Sequence, residues 1–298
     1  MVYHIPALLD ESIEGLNIRP EGTYIDVTFG GGGHSLEILK RLTTGRLIAF
    51  DQDEDALRNV PDDKRILFLN QNFRFLKNNL RYNGINPADG LIADLGVSFH
   101  QFDEPGRGFT FRHDAPLDMR MNKYSPVSAA DLLKNSGEST LADIFYNYGE
   151  LTNSRRIAKE IVATRSEKPL TSVSDIMASI GKLAPFRQEH KFYARVFQAL
   201  RIAVNHEIDN LREMLEQALS ILNNGGRLVV ITYHSLEDRV VKNFMRTGNF
   251  EGVENKDFYG NLETPFRIIT KRGITPGEIE IANNSRSRSA RLRIAEKI

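Results

Sequence analysis

The sequence predicts an α/β fold, a doubly wound parallel sheet interrupted by an all-helical insertion. Three observations lead there. Apolar runs of strand length recur at residues 24–26, 45–51, 65–69, 90–94 and 227–232, separated by helical stretches, as in a sheet covered on both faces. Three of these runs end in an acid, Asp26, Asp51 and Asp94, at the carboxyl ends of strands where open α/β sheets bind ligands. Between residues 104 and 195 the strand rhythm stops, and helical segments at 128–134, 141–148, 154–165 and 172–178 take over. The expected organisation is a discontinuous α/β domain of residues 1–103 and 196–298, carrying a helical insertion of residues 104–195 that recognises substrate.

In chain order, Pro6 to Leu16 reads as a short amphipathic helix packed on the sheet. Strand one leads into Gly30-Gly31-Gly32-Gly33 and then His34-Ser35, opening a helix over 36–42. Glycines at such a turn admit positive φ and let a ligand approach without meeting a Cβ, and a helix start beside them offers free N–H groups. Strand two ends at Asp51, some twenty residues on, where nucleoside-binding folds place the carboxylate that receives ribose hydroxyls. Asp53, Glu54 and Asp55 are expected to open the next helix. After the insertion come a long helix from about 192 to 223, an Asn-Asn-Gly-Gly turn, the strand 227–232 and a helix over 236–245. Weaker strands near 266–270 and 290–295 close the sheet. The alternation in Ser289-Ala-Arg-Leu-Arg-Ile294 turns its arginines away from the core.

Composition sets the class. The 298 residues carry 39 basic and 39 acidic side chains and no cysteine, so disulfides and thiolate metal sites are excluded. No apolar run approaches the ~20 residues that span a bilayer, and the first residues lack a signal peptide's apolar core, so a cytoplasmic protein without membrane partners is expected. Charge is unevenly spread. Residues 1–149 hold 15 Lys+Arg against 21 Asp+Glu, and residues 150–298 the remaining 24 against 18, an asymmetry that fits a polyanionic partner.

A glycine loop with an acid after strand two suits any adenosine cofactor. Asp26 and Asp94 at the same crevice would repel a pyrophosphate and attract a sulfonium or ammonium, so the acids favour S-adenosylmethionine over a nicotinamide dinucleotide. His100, His113, His190 and His206 show no metal-ligand spacing, and no metal is needed.

Several stretches resemble one family. Asp26-Val-Thr-Phe-Gly-Gly-Gly-Gly-His-Ser35, Ala93-Asp-Leu-Gly-Val-Ser98, Arg107-Gly-Phe-Thr-Phe111 and Leu117-Asp-Met-Arg-Met121 are similar to the bacterial ribosomal RNA small subunit methyltransferase H (RsmH/MraW) family. So are Phe197 to Asn205, His234 to Lys242 and Asn284 to Arg293, in the family's order. The resemblance implies a Rossmann-like methyltransferase domain that uses S-adenosylmethionine to methylate N4 of one cytidine in the decoding region of 16S ribosomal RNA. The implied partner is the small ribosomal subunit; the chain acts alone or as a homodimer. Carried over by position, cofactor contacts fall on Gly32, Gly33, His34, Asp51, Phe73, Asp94 and Gln101. The family's usual Ser-Pro pair is replaced here by Ser98-Phe99-His100.

Asp94 and His234 are the catalytic candidates, as acceptors for the amine's proton or as contacts to cofactor and base. The backbone carbonyls of Leu95 and Gly96 are alternatives to Asp94, and packing or capping is the alternative for His234. Cations to hold RNA phosphates are Arg155, Arg156, Lys159, Arg165 and Lys168 in the insertion and Arg286, Arg288, Arg291 and Arg293 in the tail, fewer than half of which are expected to touch RNA. Two other classes compete: a nicotinamide-dependent oxidoreductase, and a non-catalytic RNA-binding or assembly factor that keeps the cofactor fold for shape.

Overall fold

A computed structural model of the chain describes residues 6–85, 87–98, 101–102 and 104–298; Phe99 and His100, where the sequence departs from the family pattern, lie outside them. The strands are β1 (Thr23–Asp26), β2 (Arg46–Phe50), β3 (Ile66–Leu69), β4 (Ala88–Asp94), β5 (Leu222–Thr232), β6 (Phe266–Ile268) and β7 (Arg291–Lys297). The helices are α1 (Leu9–Leu16), α2 (Gly33–Arg41), α3 (Leu76–Tyr82), α4 (Ala129–Asn135), α5 (Glu138–Asn147), α6 (Ser154–Glu167), α7 (Val173–Ile180), α8 (Glu189–Asn205), α9 (Glu207–Ile221), α10 (Ser235–Thr247) and α11 (Glu278–Asn283). The chain divides into two compact units, residues 1–96 with 208–298, and residues 97–207.

The first unit is built on one seven-stranded sheet of order β3-β2-β1-β4-β5-β7-β6. β1 to β5 are parallel, as the continuous apolar runs predict. The far edge is not: β7 runs antiparallel to both β5 and β6. The reason is where the last connection lies. Arg291 at the start of β7 pairs with Thr232 at the end of β5, so residues 269–290 stay at the sheet's carboxyl edge and the chain must run back down.

Both faces are covered. Leu47 to Phe50 of β2 and Leu228 to Ile231 of β5 are completely buried on consecutive residues, which one-sided strands never show. On one face, Leu9, Ile13 and Leu16 recur at helical spacing along α1 and pack with Ile38 and Leu39 of α2 against Val229, Ile231, Leu292 and Ile294. Gly15 lets α1 come that close, since a Cβ there would stand 2.5 Å from Ile294 Cδ1. α10 buries Val241, Phe244 and Met245.

Covering both faces overturns one expectation. Arg293 alternates with Leu292 and Ile294, but the other face of β7 is not solvent: Arg293 is 6 % exposed and forks onto Asp238 of α10 at 2.7 and 2.9 Å. It fixes helix to strand and is closed to RNA. Other sequence expectations shift locally. The acids at 53–55 open only a 3-10 turn, Glu54–Asn59, cut short by Pro61. The Asn223–Gly226 turn is absorbed into β5 as a bulge, between the pairs Ala88–Leu222 and Gly90–Arg227. The long helix of 192–223 is two helices, broken at His206, whose φ is +52°.

The second unit is helical, with Leu133, Leu141, Phe145, Ile157, Ile161, Ile176, Val196 and Leu200 at its core. Ser128 and Ser172 start α4 and α7 through reciprocal bonds with Asp131 and Asp175. Its long loop is pinned from inside. Arg107 donates to the carbonyls of Arg120 and Met121, while Asn205 donates to Met119 O at 2.8 Å and accepts from Met121 N at 2.7 Å. Among the described residues, no helix is long and apolar enough to cross a membrane.

Arg293→Ala should lower stability by about 2–3 kcal/mol, because Asp238 loses both bonds in a largely dry position. Urea unfolding checks this, and unchanged stability would show the pair to be incidental.

Candidate active site

The ends of β1, β2 and β4 lie side by side, and each brings a carboxyl to the same edge of the sheet. Asp26, the last residue of β1, is 2 % exposed. Its Oδ2 accepts from Ser35 Oγ at 2.7 Å and its Oδ1 from Thr28 N at 3.0 Å. Thr28 Oγ1 in turn accepts from Asp94 N at 2.6 Å, tying the end of β1 to the end of β4. Asp26 therefore faces inward. It sets the loop and the start of α2.

Asp51 holds the glycine loop from the neighbouring strand. Its Oδ2 accepts from Gly30 N at 2.7 Å and its Oδ1 from Asp53 N at 2.8 Å, which leaves a lone pair on each oxygen for hydroxyl donors. Asn59 closes the loop's far side on Gly30 O at 3.0 Å. Two of the four glycines are needed for reasons the sequence does not display. Gly32 sits at φ +80° directly before α2, and a Cβ there would lie 2.9 Å from the Phe29 ring. At Gly33 a Cβ would meet Pro6 at 2.2 Å, so this glycine makes room for the N-terminal segment. Phe73 stands half-buried in the turn after β3. That turn is latched to the loop after β2 by Asn72 Nδ2 on Gln52 Oε1 at 2.7 Å.

Asp94 keeps 22 % of its side chain open. Its Oδ1 accepts from Tyr233 Oη at 2.8 Å, and its Oδ2 lies 4.0 Å from His34 Nδ1. Tyr233 follows β5 and is the site residue that sequence reasoning missed. An aromatic at a strand end carries no signal of its own, and only the fold sets it beside Asp94.

Electrostatics make the cluster distinctive. Burial pushes Asp26 and Asp51 from 3.8 up to about 6, and Asp94 up to about 7. Neighbouring acids add to the shift, Asp53 and Asp26 at Asp51, and Asp26 and Glu237 at Asp94. Burial also pushes His34 down to about 4, so the imidazole is neutral and supplies no countercharge. Burial raises Tyr233 well above its usual range, and the negative charge of Asp94 raises it further, so it stays a donor. Among the described residues no lysine or arginine forms an ion pair with any of the three carboxyls. They suit a cationic ligand: a positive charge placed there recovers the cost of ionising them.

The remaining candidates divide. His234 caps α10, with Nδ1 accepting from Glu237 N at 3.4 Å. Its Nε2 is 3.1 Å from Glu237 Oε1 without hydrogen-bond alignment. Gln101 belongs to the helical unit, where it is buried and its Oε1 accepts from Ser98 N at 3.1 Å.

A sheet of this order, with three carboxyls at its carboxyl edge, gives the chain the Rossmann-like architecture of a methyltransferase domain. Similarity to known proteins narrows the class. The profile of the MraW methylase family matches residues 1–298, and the chain belongs to that family. It is 56 % identical over 296 residues to the ribosomal RNA small subunit methyltransferase H of Bacteroides fragilis, covering 99 % of this chain and 97 % of that protein. It is 51 % identical over 298 residues to the protein of the same name from Cytophaga hutchinsonii, covering 99 % of this chain and all of that one.

The raised carboxyls have a consequence for the ligand-free protein. Each binds its proton more tightly folded than unfolded, so between about pH 4 and 7 the folded chain holds the extra protons and loses stability as pH rises. Asp94→Asn should therefore raise the melting temperature of the free protein at pH 8, with the gain shrinking toward pH 4. Calorimetry across that range checks it; a difference independent of pH would contradict the assignment.

Proposed function

We propose that this chain methylates N4 of one cytidine in the decoding region of small-subunit ribosomal RNA, in the cytoplasm, with an assembled or nearly assembled subunit as substrate. The names of the relatives support ribosomal RNA of the small subunit as the target. The cytidine and its N4 atom rest on the resemblance of the Asp26–Ser35, Ala93–Ser98 and His234–Lys242 motifs.

The observation that carries the chemistry is Asp94. S-Adenosylmethionine, when bound, supplies an electrophilic methyl on a positively charged sulfur. The residues at the crevice fit it: Asp51 offers acceptors to ribose hydroxyls, half-buried Phe73 offers a ring face to adenine, and the start of α2 at Gly33 and His34 offers backbone donors. The lone pair of a cytosine amine is delocalised into its ring. The enzyme must hold the amine in line and take its proton at or after transfer. Asp94 Oδ2 is the acceptor we assign. Its partner oxygen is held by Tyr233, the side chain is partly open, and its affinity for a proton near neutrality suits the task. His234, occupied as the cap of α10, is assigned to placing Tyr233 and Glu237: Tyr233 N donates to Glu237 Oε2 at 2.9 Å. The helical unit is assigned to substrate recognition, and the target base must leave its stack to be reached.

Small-subunit RNA from cells lacking this protein should be missing one cytidine methyl group by mass spectrometry. An unchanged RNA would reject the reading. In vitro, Asp51→Ala should weaken cofactor binding about tenfold or more, from loss of charge-assisted bonds. Asp94→Asn should lower kcat about a hundredfold at saturating cofactor. Single-turnover methylation assays separate the two effects.

A further inference from the structure

The helical unit carries an exposed aromatic ring with a cationic surround that the cofactor crevice does not account for. Phe186 is 81 % exposed, at the tip of the turn between α7 and α8. Its turn is closed by hydrogen bonds. Gln188 N donates to Pro185 O at 3.0 Å, Arg187 N donates to Glu189 Oε1 at 3.1 Å, and Arg187 takes φ +58°, a strained value for a residue with a side chain. The Arg187 guanidinium lies over the ring at 5.2 Å from its centroid. One side of Phe186 is thus backed by a cation, and its exposure leaves the rest of the ring to solvent.

The residues leading into this turn, Lys182 and Leu183, are tied to α6 and to Asn153 just before it. Asn153 Nδ2 reaches Leu183 O at 3.4 Å, and Lys182 pairs with Glu160 at 2.6 Å. α6 buries Ser154, Ile157, Ala158 and Ile161 and turns Arg155, Arg156 and Lys159 outward. The last lies three and four residues from the other two, so all three share one stripe. Three other cations of the sequence reading are engaged within the fold. Arg165 closes the end of α4 on the carbonyls of Leu133 and Ser136, Lys168 pairs with Asp175, and Arg293 is buried.

We propose that Phe186 and Arg187 form a stacking platform for an unpaired RNA base, with Arg155, Arg156 and Lys159 holding the adjoining phosphates. Exposed aromatic rings beside arginine and lysine are what single-stranded RNA requires. Its bases offer π faces, and its backbone needs cations at phosphate spacing. A duplex hides its bases, so the platform selects single-stranded or splayed RNA. The proposal rests on the reading of the chain as an RNA methyltransferase and names the part of the helical unit that takes the substrate.

The chain contains no tryptophan, so Phe186→Trp places one fluorophore at the platform. Emission of the full-length F186W protein should be quenched when a single-stranded RNA oligonucleotide is added and unchanged with the duplex of the same sequence. F186A should weaken oligonucleotide binding, read by anisotropy, by about tenfold. Replacing Arg155, Arg156 and Lys159 by alanine should flatten the dependence of binding on salt. Wild-type affinity in F186A, or F186W emission that ignores RNA or answers only to subunit proteins stripped of RNA, would overturn the proposal. Methylation of small subunits keeps the two readings apart. If the wild type methylates them and F186A shows an unchanged KM, the platform alone is wrong; if the wild type methylates none, the enzymatic reading is wrong.

Discussion

Three carboxyl groups sit buried or half-buried at one edge of a parallel sheet, with no lysine or arginine among the described residues paired to them, and the architecture around the crevice serves to keep them there. Burial of an acid without a cation favours its protonated form, so the free protein carries a standing electrostatic cost near neutral pH. Hydrogen bonds from Ser35, Thr28, Gly30, Asp53 and Tyr233 lower the cost without cancelling it. What cancels it is a ligand that brings positive charge. The same bonds set the geometry. Thr28 ties β1 to β4, Asp51 holds the glycine loop, and Asp26 fixes the first turn of α2.

The acids differ in what they can do because they differ in access. Asp26 is turned inward and sealed, so it acts on the loop. Asp51 is occupied on both oxygens by backbone donors and keeps one lone pair on each, a pattern suited to hydroxyls. Asp94 combines a partly open side chain with a neutral imidazole beside it and a tyrosine that keeps its proton. The proposed division of binding, positioning and proton acceptance among three chemically identical side chains thus rests on their burial and partners.

Much of the sheet was legible in the sequence, because continuous apolar runs ending in acids are a physical requirement of a sheet covered on both faces. The antiparallel edge was not. It depends on which end of β5 the last connection occupies, and local pattern carries no record of that. The placement of Asp51 and Asp94 at the carboxyl ends of strands could be read. Tyr233 could not, and nor could the work done by Gly33, whose missing Cβ makes room for Pro6. The resemblance also mixed two kinds of residue. Arg107 and Asn205 lie in motifs that invite a functional reading, yet inside the helical unit they satisfy buried backbone carbonyls. Arg293 looked like a cation for RNA and proves to be a buried link between β7 and α10.

The central claim is that burial raises the proton affinity of the crevice acids toward neutrality until a cation arrives. Carbon-detected NMR titration of the aspartate side-chain carboxyls, with and without S-adenosylmethionine, addresses it directly. The free protein should show three carboxyls titrating near 6 to 7, shifting downward when the cofactor binds. Ordinary values close to 3.8 in the free protein, or no movement on binding, would contradict the account.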